Sequence, residues 1–499
     1  MLGGMAMFDY DRDGRLDLLM LNQGHPDNLP PDPQTTKVWS RLYRNQADGK
    51  FVDVTEQSGL VDDGFALGVV AADLDHDGDQ DVAISHWGPV RIFENLGDGT
   101  FAFRSKRLPQ APDQTTVFGA GIACLDIDND GNLDLYAGNY VDFTMERYQQ
   151  VAPKSFPYPP GPKDFPPSID RLYRNRGDGT FSDVTSSSGI DRYPGPTMGV
   201  ICGDFDEDGD TDIFACSDAA PNQYFVNDGK GQFIDMALGA GLAFDVAGNV
   251  NGSMGVDAAD FDRDGRIDFL ITNYTGQTPV LYKNLGGGQF EDVSRKTQIG
   301  RTLLPHTNWG VGWLDAENDG DVDAFIANGH FLKNIESIDD RTSFRVANSL
   351  LIQEGPGRFI DRTKQAGPGW SIVESSRGSA VGDIDLDGDL DVVFLNAEAP
   401  PTLLVNQSTM QGDWLQVELV GTTGNRDAVG ATVVVVTEQG QWTQMIHAGR
   451  GYQSHFGKVL HFGLGHNARL KHIEVRWPSG QKQLFRDLPL NARHLLIEE

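Results

Sequence analysis

The stretch Asp9-Tyr10-Asp11-Arg12-Asp13-Gly14-Arg15-Leu16-Asp17 sets carboxylates at its first, third, fifth and ninth positions and a glycine at its sixth. Six further stretches keep that spacing. Their carboxylates are Asp73, Asp75, Asp77 and Asp81; Asp126, Asp128, Asp130 and Asp134; Asp204, Asp206, Asp208 and Asp212; Asp260, Asp262, Asp264 and Asp268; Asp315, Glu317, Asp319 and Asp323; and Asp383, Asp385, Asp387 and Asp391. Carboxylates gathered this closely repel one another unless a cation sits among them, and a hard, oxygen-seeking ion of flexible coordination fits best. The expected cofactor is therefore Ca2+, up to seven ions. The sixth-position glycine, for example Gly14 or Gly78, lets the backbone turn sharply so that a carbonyl also faces the ion. Glu317 keeps the charge of the sixth copy but lengthens one arm, so that site is expected to be weaker.

An EF-hand opens in the same way but needs a glutamate at position twelve and a helix on each side. Position twelve here is Met20, Ile84, Ala137, Ala215, Ile271, Ile326 and Phe394, all apolar, and the flanks read as short strands. Each acidic loop is then the tip of a β-hairpin. A second signature follows it: Leu-Tyr-Arg-Asn at Leu42 and Leu172 and Leu-Tyr-Lys-Asn at Leu281, each leading into a glycine turn and a phenylalanine strand, with looser versions near Ile92, Tyr224 and Leu350. One unit thus holds four short antiparallel strands that cannot bury both faces alone. Seven units predict an all-β chain, with a seven-bladed β-propeller over residues 1–408. Small residues in the first strand, such as Gly119-Ala120-Gly121, suit the crowded axis. The seventh unit breaks off after Leu403–Asn406. Its outer strand is expected either from a segment lost before the present N-terminus or from Trp414–Val420. The tail, 413–499, reads as six or seven strands and predicts a small β-sandwich-like domain.

The net charge of −32 resides in the repeat region, the tail being close to neutral. Such a surface excludes nucleic acid as a partner, and no apolar run is long enough to insert in a membrane. The chain enters a repeat at once, with no leader, which predicts a truncated N-terminal end. Cys124, Cys202 and Cys216 lie in apolar strand-like runs and read as buried free thiols.

The two interleaved signatures resemble the FG-GAP and VCBS repeats of integrin α-subunit-like propellers over residues 1 to about 408. The tail resembles the ASPIC/UnbV domain at Trp414–Leu419, Asn425–Ala431, Phe462–Gly465 and Trp477–Gly480. Together they are similar to the cartilage-acidic-protein family of secreted or cell-surface proteins. That resemblance implies calcium binding, an extracellular location and an adhesion or matrix role. The start of the chain departs from it in lacking the expected leader.

If the first strand of each unit runs toward the acidic loop, the second-to-third connections all emerge on the opposite face. Three are long: about Asn22–Ser40, Asn139–Asp170 and Asn328–Asn348. Loops of that length are commonly functional. Polar and aromatic residues at the strand ends of this face, His25, His86, Trp87, Tyr140, Asn222, Asn273, Tyr274, Asn328 and His330, suit a glycan or protein ligand. The same residues equally suit turns. The first functional reading is a calcium-riveted extracellular recognition or adhesion protein. The alternatives are a polysaccharide lyase or hydrolase, with His306 or His330 as base, and a structural surface spacer. No nucleophile elbow, zinc-protease helix or phosphate loop is present.

Overall fold

The computed structural model describes residues 3–22, 40–47, 49–109, 117–155, 158–408 and 412–499. Each acidic stretch joins two antiparallel strands. Met5–Phe8 runs into the first loop and Asp17–Met20 leaves it, Phe8 lying opposite Asp17. Arg41–Asn45 and Phe51–Asp53 complete that sheet in chain order. Six four-stranded sheets of this kind open with Met5–Phe8, Ala66–Ala72, Val117–Leu125, Thr197–Gly203, Val256–Ala259 and Asn308–Leu314. A seventh, opening with Ser376–Gly382, has three strands among the described residues. The opening strands contact one another in chain order around a closed ring, Ser376–Gly382 lying against Met5–Phe8. The fold is a β-propeller.

Glycine sets the spacing of the ring. A Cβ on Gly68 would lie 2.3 Å from the Ala120 carbonyl of the next opening strand, and one on Gly255 would lie 2.4 Å from that of Trp309. A side chain at either position would force adjacent sheets apart.

The asparagine of the second signature joins neighbouring sheets. The Asn45 N–H donates to Asp17 at 2.7 Å, and its side-chain amide donates to the Ile384 carbonyl of the seventh sheet at 2.9 Å. The pattern recurs at Asn95 (Asp81 and Tyr10), Asn175 (Asp134 and Leu74), Asn227 (Asp212 and Ile127) and Asn284 (Asp268 and Phe205). Gln353 (Asp323 and Phe261) and Asn406 (Asp391 and Ala316) complete it. Every unit is thereby tied to the unit before it, and the first to the last.

The tail forms a three-stranded and a four-stranded sheet. Asp413–Val420 pairs with Leu460–Gly465 and Ala492–Ile497, so Trp414–Val420 does not complete the seventh sheet, contrary to that sequence-based expectation. Its inward residues, including Leu415, Val417, Val433 and Ile473, share one core with Val70, Ile122 and Leu135 of the propeller. From between Gln441–Met445 and Leu460–Gly465, residues 446–456 enter the ring. Ala448 O accepts from Cys124 N at 2.9 Å, Gly451 exchanges both backbone bonds with Val256, and His455 N donates to Met5 O at 2.9 Å. This segment plugs the channel that the ring of first strands encloses. Cys124, Cys202 and Cys216 are buried and free.

Three histidines of the tail lie buried in this interface. Desolvation pushes His447 down to about 3 and His455 and His461 down to about 4. A histidine with a folded pKa below its unfolded value contributes stability that is present above about pH 6.5 and is lost as pH falls toward the folded pKa. The stability advantage of wild type over His455→Asn in saturating calcium is therefore expected to shrink by about 2 kcal/mol between pH 6.5 and 4.5. Urea denaturation of both proteins at the two pH values checks it, and a constant difference would refute a buried neutral imidazole.

Candidate functional site

In each acidic loop the first carboxylate accepts the backbone N–H of the sixth-position glycine. Asp9 takes Gly14 at 2.8 Å, Asp126 takes Gly131 at 2.8 Å and Asp315 takes Gly320 at 2.7 Å. The fourth position holds a left-handed non-glycine residue in every copy: Arg12, His76, Asn129, Glu207, Arg263, Asn318 and Leu386. A strained conformation repeated seven times shows that the loop closes on its carboxylates whatever side chain occupies that position. The groups Asp9, Asp11 and Asp13; Asp73, Asp75 and Asp77; Asp126, Asp128 and Asp134; Asp204, Asp206 and Asp208; and Asp260, Asp262 and Asp268 each bring three carboxylate oxygens within 4.8 Å of one another.

The donor set fits a hard divalent ion. The buried oxygens Asp11 Oδ1, Asp73 Oδ1, Asp75 Oδ1, Asp128 Oδ1 and Asp262 Oδ1 lack any hydrogen-bond partner. Burial, reinforced by neighbouring carboxylates, raises Asp17, Asp81, Asp134 and Asp212 to about 8 and Asp73, Asp126 and Asp204 to about 6. Basic side chains, three of them from the second signature, meet some of this charge. Arg44 lies 2.8 Å from Asp11, Arg107 lies 2.6 Å from Asp75, Arg174 contacts Asp128, and Lys283 contacts Asp262. Among the described residues, the first, third and fifth carboxylates of the fourth, sixth and seventh loops have no such ion pair.

The tail covers this face. Asp427 accepts from Asp73 N at 2.7 Å, Gln416 donates to Asp383 at 2.7 Å, Trp442 donates to Gly320 O at 2.7 Å, and His461 meets Asn318 at 2.6 Å. The contacts fall on the loops themselves, so loop geometry and tail position are coupled.

On the opposite face lies a cavity of about 710 Å³. One wall is aromatic. Trp87 and Phe118 both meet Phe143 edge-on, with centroids 5.2 and 5.5 Å away. The other wall is Tyr274, His330 and Phe331, with His330 stacked on Phe331 at 4.6 Å. Two of the three long connections supply these walls. The middle one carries the helix Met145–Ser155. Beneath the cavity, Met198, Met254 and Trp309 pack on Tyr452 of the plug.

Trp87, Tyr140, Tyr274 and His330 thus come together. His86 is buried against Asp62 at 3.0 Å, Asn222 accepts from Ser217 N, Asn273 donates to Thr278 O, and Asn328 donates to Ala347 O. These four brace turns and do not line the cavity. His25 and most of the first long connection lie outside the described residues. His306 also stands apart from the cavity. His330 Nδ1 accepts the Leu332 N–H at 3.0 Å, so its neutral ring carries hydrogen on Nε2, which donates to the Tyr274 hydroxyl at 3.0 Å. Both nitrogens are committed, burial holds the ring near pKa 4, and no lone pair is free to take a proton from a ligand. Sequence reasoning missed Phe65, Phe118, Phe143, Asp218 and Trp309. Spacing alone places phenylalanines of this kind in a core, and only the closed ring shows them lining one opening.

A closed ring of repeated hairpin sheets, acidic loops on one face and a β-rich tail seated on them define a repeat propeller of two interlocked parts. The chain belongs to the FG-GAP-like repeat family, whose model matches residues 9–84, 75–137, 166–215, 204–271 and 260–326, and it carries an ASPIC and UnbV domain at residues 421–499. It is similar to cartilage acidic protein 1 of Homo sapiens, 26% identical over 99% of this chain and 71% of the relative, and to that of Mus musculus, 27% identical over 99% and 73%. Among solved structures it is similar to an Agrocybe aegerita lectin that recognises non-reducing terminal N-acetylglucosamine, at 16% identity, 72% and 79% coverage and a TM-score of 0.40. A Bacillus licheniformis rhamnogalacturonan lyase matches at 12% identity, 82% and 72% coverage and a TM-score of 0.40. No helix of the described residues is long and apolar enough to cross a membrane.

Proposed function

We propose that this chain is an extracellular recognition protein, riveted by Ca2+ in its acidic loops, that binds a glycan or protein ligand on the face opposite those loops. The aromatic cavity carries this reading. Its volume lies within the range of ligand sites, its walls come from two long connections mounted on a rigid ring, and the one histidine among its described lining residues, His330, has no lone pair to offer as a base. This weighs against the alternative in which His330 acts as the base. Calcium would be held by the first-, third-, fifth- and ninth-position carboxylates of each loop. It would supply the positive charge that the partnerless oxygens lack. Millimolar calcium outside the cell suits sites of this modest class.

A glycan and matrix-protein array probed in millimolar calcium tests the reading. A saturable hit is expected, weakened at least about tenfold by Trp87→Ala with Tyr140→Ala, since aromatic anchors dominate such contacts. Circular dichroism confirms that the variant is folded. A complete absence of saturable ligands would leave the structural spacer as the better account.

A further inference from the structure

The charges around the cavity narrow the ligand class, an argument that rests on the cavity being the ligand site. Asp218, Asp339 and Arg341 line it. Arg341 and Asp339 pair with each other at 2.7 Å, the arginine being 80% exposed. Asp218 differs. Tyr140 donates its hydroxyl to Oδ2 at 2.6 Å, and among the described residues no cationic group lies within 4 Å of the carboxylate. Lys163 acts on it from a distance and from an exposed position. His330 is neutral and supplies no charge. A carboxylate with no ion pair among the described residues therefore sits beside Tyr140 and Tyr274, within an opening walled by Trp87, Phe118 and Phe143.

These features select the same kind of ligand. Aromatic faces attract cations through their quadrupoles, most strongly where water is excluded. A desolvated carboxylate is costly unless an opposite charge reaches it. We infer that the cavity takes an organic ammonium group on an apolar stem, such as a lysine side chain or a quaternary amine, with the nitrogen between Asp218 and the aromatic wall. Within the recognition reading this favours a basic protein segment over a neutral glycan.

The probe is choline, set against its neutral carbon isostere in which carbon replaces the quaternary nitrogen. Both are titrated calorimetrically into the full chain in millimolar calcium. Choline should bind saturably, the isostere at least tenfold more weakly, and Asp218→Asn, which keeps an acceptor for Tyr140, should lose at least tenfold for choline alone. Phe143→Leu should weaken choline while leaving the fold intact. Equal binding of the isostere, indifference to Asp218→Asn, or no choline binding by folded protein would overturn the inference. If choline fails while array hits still depend on Trp87, the ammonium assignment falls and the recognition reading stands. If choline fails and the array shows no hit, both fall.

Discussion

Excess EDTA is expected to lower the melting temperature by up to about 10 °C. Extracellular calcium modules have Kd values near 10⁻⁴ to 10⁻³ M, so about millimolar calcium adds up to about 1.4 kcal/mol per site. If the seven loops add, the ceiling is on the order of 10 kcal/mol, comparable with the stability of a whole domain. At about 2.1 cal/mol/K of unfolding entropy per residue, that ceiling in a ring of this size corresponds to roughly 10 °C. The ninth-position aspartates make the effect cooperative. Asp17 holds the Asn45 N–H whose side chain reaches the seventh sheet, so a loop that loses its ion also loosens a tie between units.

The pH dependence gives the prediction a sign. Without metal, aspartates such as Asp17 and Asp134 have folded pKa values raised to about 8. The stability they contribute is present below about pH 4 and is lost as pH rises through 8. Calcium needs them ionised, so its contribution grows over the same range. The gap in melting temperature between calcium and EDTA should therefore widen from pH 5 to pH 8, as read by differential scanning calorimetry. An unchanged melt in EDTA at pH 8 would remove the rivet from the account.

The ring was legible in the sequence because its determinants are local and repeated. Asp-Gly turns, alternating apolar strands and small residues such as Gly121 and Gly255 each act within a few residues or against an identical neighbour. The clustering of the acidic-loop carboxylates was legible for the same reason. The cavity was only half legible. Trp87, Tyr140, Tyr274 and His330 stand at strand ends, where a register argument reaches them, but so do Asn222 and Asn328, which brace turns. Period and spacing cannot tell a strand-end residue that faces an opening from one that closes a turn. The helix Met145–Ser155 was hidden by Pro153 within it and by the proline-rich stretch beyond it. Least legible was the plug. Gly449 and Gly451, both at positive φ, lie in a segment too long for a hairpin, and that was its single local sign. What the segment packs against is set by strands hundreds of residues earlier.

Arg450→Ala is expected to cost about 3–5 kcal/mol, because it removes one partner of a buried ion pair and strands the other. Arg450 Nε lies 2.5 Å from Asp257, the two side chains being 10% and 0% exposed. Burial raises the Asp257 pKa, and the arginine is the largest influence opposing it. Asp257, on the fifth sheet, also accepts the Trp313 N–H of the sixth at 2.9 Å, so its carboxylate is held between the two sheets and cannot follow a departing partner. The guanidinium lies over Phe456 at 4.8 Å, at the other end of the plug. Replacing both charges, as in Arg450→Met with Asp257→Leu, should recover most of the loss, since a buried pair exchanged for apolar side chains of similar size is often neutral. Urea denaturation of the single and double variants measures both quantities. A single variant within about 1 kcal/mol of wild type would mean that the pair is screened like a surface one and that the plug is not anchored there. A large loss, recovered in the double variant, would establish that the tail is pinned through the axis of the ring. Tyr452, two residues beyond Arg450 and packed on Trp309 at 5.2 Å, would then transmit any loosening of the plug to the floor of the cavity.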